Sequence, residues 1–148
     1  MKKVIIAYFS LSGKTETMAR YVAEGVRFTG NEAVVKKMSE IKSVNDLTGY
    51  DGYIFGSPTY YLDAPDPVKT FLFLGRKAGL KEKLAGAFGS YTHDGNGPRI
   101  VFDTMQHVYD MEPFELGPFN LKEALVETND GMRACQAYGR AFGEKLGT

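Results

Sequence analysis

Residues 4–15 read Val4-Ile5-Ile6-Ala7-Tyr8-Phe9-Ser10-Leu11-Ser12-Gly13-Lys14-Thr15, an apolar run that gives way to a polar, glycine-containing loop. A strand with one wet face alternates in polarity. This run does not alternate, so it reads as a strand covered on both faces in a parallel sheet. After the loop, Met18, Ala19, Val22, Ala23 and Val26 recur at spacings of three and four, the stripe of an amphipathic helix that Gly30 stops. Strand, polar loop and helix together form the repeating unit of an α/β fold.

Working outward, residues 33–35 read as a second strand and residues 53–55 as a third, entered by the Asp51-Gly52 turn and ended at Gly56-Ser57-Pro58. Pro65 and Pro67 suit the start of a helix that carries Val68, Phe71, Leu72 and Leu74 as far as Gly79. Residues 85–89 read as a fourth strand and 90–97 as a polar loop. Ile100, Thr104 and Val108 fit a helix, 114–116 a last strand, and Met132, Cys135, Tyr138, Phe142 and Leu146 a closing helix. Five such alternations predict a doubly wound α/β domain, a five-stranded parallel sheet with helices on both faces. The 148 residues, without a linker or an internal repeat, fit one domain over 1–148. In such sheets ligands bind beyond the carboxyl ends of the strands, so the loops after strands one, three and four are expected on one rim.

Eighteen Lys plus Arg balance eighteen Asp plus Glu, so no overall field draws the chain to nucleic acid or to an anionic membrane. The longest apolar run, residues 4–9, is far short of a bilayer span, and no small-residue cleavage site follows it. A lone Cys135 offers no internal disulfide, and there is no zinc-like Cys/His spacing; a cytoplasmic protein is the expectation. Cys135 itself reads as a buried apolar residue.

The loop 10–15 brings three hydroxyls (Ser10, Ser12 and Thr15), Gly13 and the cation Lys14 to the start of a helix, where unpaired N–H groups and the positive dipole end favour an anion. An ordinary helix start, with Ser12 or Thr15 as cap and Glu16 in the first turn, would also use these residues, but it needs only one hydroxyl. Gly13-Lys14-Thr15 is not a Walker loop, because the glycine required five residues earlier is Tyr8. Carboxylates of a phosphoacceptor domain are missing at Phe9-Ser10, and no G-x-G-x-x-G follows the first strand. Gly95-Asn96-Gly97 reads as a turn.

The stretch 10–19, Ser-Leu-Ser-Gly-Lys-Thr-Glu-Thr-Met-Ala, resembles the phosphate loop and first helix of flavodoxins. Gly56-Ser57-Pro58-Thr59-Tyr60 resembles the loop after their third strand, and Phe88-Gly89-Ser90-Tyr91-Thr92 the start of the loop after their fourth. The composition of residues 90–97 is more like the corresponding loop of flavodiiron proteins and flavodoxin-like quinone reductases. The resemblance implies a non-covalently held FMN with its phosphate on Ser10, Leu11, Ser12, Gly13, Lys14 and Thr15; Lys14 stands where that family often has an uncharged residue. It implies that Tyr60 stacks on the ring, with Ser57, Pro58, Thr59 and Tyr61 around it. Ser90, Tyr91, Thr92, His93, Asp94, Gly95 and Gly97 would then serve the polar pyrimidine edge. Core packing is the other reading of the adjacent tyrosines, and a solvated loop residue that of His93. Tyr61 holds the place where the family commonly has a glycine that can turn its carbonyl toward the ring. Positive φ is unfavourable for tyrosine, so a less stabilised one-electron-reduced form is expected.

The function implied is a low-potential FMN-dependent electron carrier shuttling between a reductase donor and an acceptor protein, with no catalytic residue and no metal of its own. A flavodoxin-like NAD(P)H-dependent quinone or flavin reductase is the alternative, and a module that has lost its cofactor a third reading. A monomer is expected. The neutral charge balance implies docking through local patches, unlike the acidic surfaces familiar in the family.

Overall fold

The computed structural model describes residues 1–147. The opening run becomes β1 (Lys3–Tyr8), paired in parallel with β2 (Glu32–Lys37) on one side and β3 (Gly52–Gly56) on the other. Val4, Ile5, Ile6 and Ala7 are wholly buried, as a strand with helices on both faces requires. β4 (Leu84–Tyr91) pairs with β3, and the strand order is 2-1-3-4-5, all parallel. Order reverses at β1, so the C-terminal ends of β1 and β3 flank a crevice.

The helices are α1 (Lys14–Arg27), α2 (Asp66–Arg76), α3 (Asn96–His107) and α4 (Asn129–Leu146). Alternate residues of β4 show the two layers: Gly86 faces Tyr138 and Phe142 of α4, whereas Gly89 faces Pro98 of α3. Phe114 packs edge-on against Tyr138 and Phe142 beneath the α4 layer.

The last strand departs from expectation. Residues 114–116 are not a strand; they lie between two short ones, β5 (Glu112–Pro113) and β6 (Phe119–Lys122), which share the fifth sheet position against β4. The Phe114 N–H still donates to the Ala85 carbonyl at 2.9 Å. One step on, the Ala87 N–H donates to the Tyr138 hydroxyl (3.2 Å), which donates to the Gly117 carbonyl (2.8 Å). A side chain from α4 thus fills the break in the ladder, a substitution that local pattern does not report. The fourth strand runs on through Ser90 and Tyr91, and Asn96 and Gly97 already belong to α3, so the loop shrinks to 92–95. α2 stops at Arg76, short of Gly79, and Val108 lies just past α3.

Candidate functional site

Gly13 caps α1 in a left-handed conformation, φ 89°, which glycine adopts without strain. Its N–H donates to Ser10 Oγ at 3.0 Å, and its carbonyl accepts from both the N–H and the hydroxyl of Thr17 at 3.0 Å. The loop is thereby folded back on itself. The N–H groups of Lys14, Thr15 and Glu16 stand in the first turn of the helix, with no acceptor among the described residues. Thr15 is buried, its Oγ1 3.5 Å from Ser90 Oγ at the end of β4, while Leu11 and Ser12 are exposed.

The charged groups around this turn are already engaged. Glu16 accepts a 2.6 Å hydrogen bond from the Tyr8 hydroxyl, and burial followed by this carboxylate pushes the Tyr8 pKa up to about 12. Lys14 Nζ lies 3.1 Å from Glu127, in the segment between β6 and α4. The expected cation therefore opens α1 and faces a carboxylate that sequence spacing did not disclose.

After β3, Tyr60 and Asp63 exchange backbone hydrogen bonds of 2.8 and 3.0 Å around Tyr61 and Leu62. Both central residues have positive φ, 51° and 64°, as a two-residue type I′ turn demands. The chain thus holds a tyrosine, and a leucine beside it, in the left-handed region that side-chain sterics disfavour. Asn96 Nδ2 donates to the Leu62 carbonyl at 3.1 Å, and Lys69 bonds to Asp63 across the base of the turn. That bond, then the Ala64 N–H, holds the Asp63 carboxyl below the usual carboxylate range. Tyr61 is fully exposed and Tyr60 half-buried; burial, and secondarily Glu123, raises the Tyr60 pKa.

Thr59, Tyr60, Tyr61, Leu62, Thr92, His93 and Asp94 line one cleft of about 350 Å³. The structure thus brings the second and third loops together, and the Thr15–Ser90 approach ties the first loop to the same rim. Other expected residues sit behind this surface. Ser57 is fully buried and its hydroxyl donates to the Pro58 carbonyl, itself buried. The Gly97 N–H is taken by Thr59 Oγ1 (2.8 Å), and Asp94 Oδ1 accepts from the Asn96 N–H (3.1 Å) just ahead of α3. Gly89 abuts the Ser57 carbonyl so closely that any Cβ would overlap it. The sequence reading missed Leu62, Glu127 and the bridging role of Asn96, each contributed by a tertiary contact.

The donor set suits a phosphate: free N–H groups at a helix start and hydroxyls of Ser12 and Thr15, with the first-turn carboxylate, Glu16, held by Tyr8. An aromatic-walled cleft opens at the same rim. Among the described residues no cluster of His, Cys, Asp and Glu is arranged to hold a metal ion, and no helix is long and apolar enough to cross a membrane.

A family model described as "Flavodoxin" matches residues 6–117. A Synechocystis sp. protein named "Putative diflavin flavoprotein A 4" is 31% identical over 150 residues, covering 99% of this chain and 24% of its own length. This chain therefore spans about a quarter of that relative. A flavodoxin from the domain Archaea superposes with a TM-score of 0.87 at 24% identity, over 97% of this chain and 98% of the other. The Flv1 flavodiiron core from Synechocystis sp. gives 0.86 at 24% identity, over 98% of this chain and 36% of the other.

Proposed function

Since the chain belongs to the flavodoxin family, whose members bind FMN, we propose that it binds FMN without a covalent bond and carries electrons between protein partners. On this reading it works in the cytosol as a monomer, taking electrons from a reductase and passing them to an acceptor. Bound FMN would supply reversible redox chemistry through its ring.

The chain's own residues do the rest. The N–H groups of Lys14, Thr15 and Glu16, with the Ser12 and Thr15 hydroxyls, hold the phosphate at the start of α1. Tyr60 and Tyr61 present aromatic surface to the ring, and the 92–95 loop supplies polar groups for its pyrimidine edge. Ser10 keeps the loop closed through the Gly13 N–H, and Tyr8 keeps the Glu16 carboxylate occupied. The observation that carries the reading is the 3.5 Å approach of Thr15 to Ser90, which puts a helix-start anion site and an aromatic cleft on one rim.

Titration of the apoprotein with FMN and with riboflavin is the test. FMN is expected to bind at least tenfold more tightly, and Thr15→Ala is expected to weaken FMN retention more than Thr29→Ala. Thr29 bonds to the Val26 carbonyl at the far end of α1. Absence of FMN binding, or equal retention by both variants, refutes the assignment. A carrier should oxidise NAD(P)H slowly unless a reductase is added; rapid unaided turnover with a quinone would instead support a reductase.

A further inference from the structure

Asn120 stands opposite Gly89 in the β4–β6 ladder, on the sheet face that α3 covers. Its amide lies directly under Gly95, where a methyl group would overlap Cγ, Oδ1 and Nδ2 together. Oδ1 is shut off from solvent and has no hydrogen-bond partner among the described residues. Native folds keep few such atoms, and each calls for a reason.

The missing donor is adjacent. The backbone N–H groups of His93, Asp94 and Gly95 have no acceptor among the described residues, whereas those of Asn96 and Gly97 are taken by Asp94 and Thr59. Gly95 is the member of this group in contact with the Asn120 amide, and without a side chain its peptide can rotate at little steric cost. An unpaired acceptor and an unpaired donor therefore meet in the loop that borders the aromatic cleft.

We infer that Asn120 is a positioning residue for the ligand: when the 92–95 loop seats on the polar edge of the bound ring, the Gly95 N–H turns onto Asn120 Oδ1. The inference rests on the FMN reading above. Because the bond is open in the free protein and closed in the complex, its free energy appears as affinity and not as stability of the apoprotein.

Amide exchange of Gly95, followed by NMR with and without FMN, tests this together with Asn120→Leu and Asn120→Asp. FMN is expected to slow Gly95 exchange at least tenfold in the wild type. The leucine variant is expected to lose that slowing, to bind FMN about three- to tenfold more weakly, and to unfold at an unchanged or higher midpoint without ligand. Aspartate, which keeps an acceptor oxygen, restores the slowing. The inference is overturned if Gly95 is unslowed in the wild type with FMN bound, if it is equally protected without FMN, or if Asn120→Leu destabilises the apoprotein. The wild-type exchange result stands whether or not the leucine variant folds. A wild type that binds no FMN overturns the underlying reading as well, whereas FMN bound over an unslowed Gly95 overturns this inference alone.

Discussion

Replacing Tyr61 should make the apoprotein more stable or less stable according to backbone preference alone. Tyr61 is fully exposed, so its side chain contributes no burial, and its φ is 51°. The left-handed region costs an ordinary L-residue about 1–2 kcal/mol, while asparagine tolerates it well. Tyr61→Asn should therefore stabilise the ligand-free protein by about 1 kcal/mol, a rise of roughly 2–4 °C for a domain near this size. Tyr61→Gly removes the same strain but loosens the unfolded chain by about 0.5–1 kcal/mol, leaving a change near zero. Tyr61→Val adds a β-branch and should cost more than about 1 kcal/mol. Urea unfolding of the four apoproteins reads the order Asn, then Gly and Tyr together, then Val. An extended backbone at this position would reverse that order, and a reversed or flat series refutes the strained-turn reading. Affinity moves the other way: if Tyr61 covers the ring, Tyr61→Asn loses about 0.5–1.5 kcal/mol of FMN binding while gaining stability.

Two further outcomes can be measured on the same preparation. Glu127→Gln frees Lys14 from its 3.1 Å partner and should tighten FMN binding a few-fold at low salt, an effect that fades as salt rises; unchanged affinity at low salt would mean that Lys14 does not meet the phosphate. Tyr8 titrates near 12 in the folded protein and about 10 when unfolded, so its contribution is complete below pH 10 and is lost as pH climbs toward 12. Tyr8→Phe should be less stable near neutrality for want of the Glu16 hydrogen bond, yet should lose less additional stability between pH 10 and 12 in unfolding titrations. A parallel fall in both proteins would show that Tyr8 is not the group responsible.

The doubly wound sheet was legible because β1 never alternates and α1 carries an unbroken three-and-four stripe; both patterns report how many faces are buried. The glycine-capped start of α1 was legible for the same local reason, since a glycine cap and clustered hydroxyls act within a few residues of one another. The last strand was not. Its break is filled by the Tyr138 hydroxyl, which reaches Ala87 from 51 residues away, and nothing near residue 114 records that. At Tyr61, residue preference argued against the positive φ that the chain adopts there. The turn is held by Asn96 from α3 and by the Lys69–Asp63 bond at its base.

From the linear chain alone came the sheet, its helices, the rim where the loops gather and the hydroxyl-rich, glycine-capped start of α1, because periodicity and cap chemistry are short-range properties. Tertiary structure alone decided which groups are spoken for: Lys14 by Glu127, Gly97 by Thr59, Ser57 by its own turn, with Asn120 left unpaired. Hydrogen-bond partners across a rim are brought together by packing, and packing joins residues whose separation along the chain carries no signal.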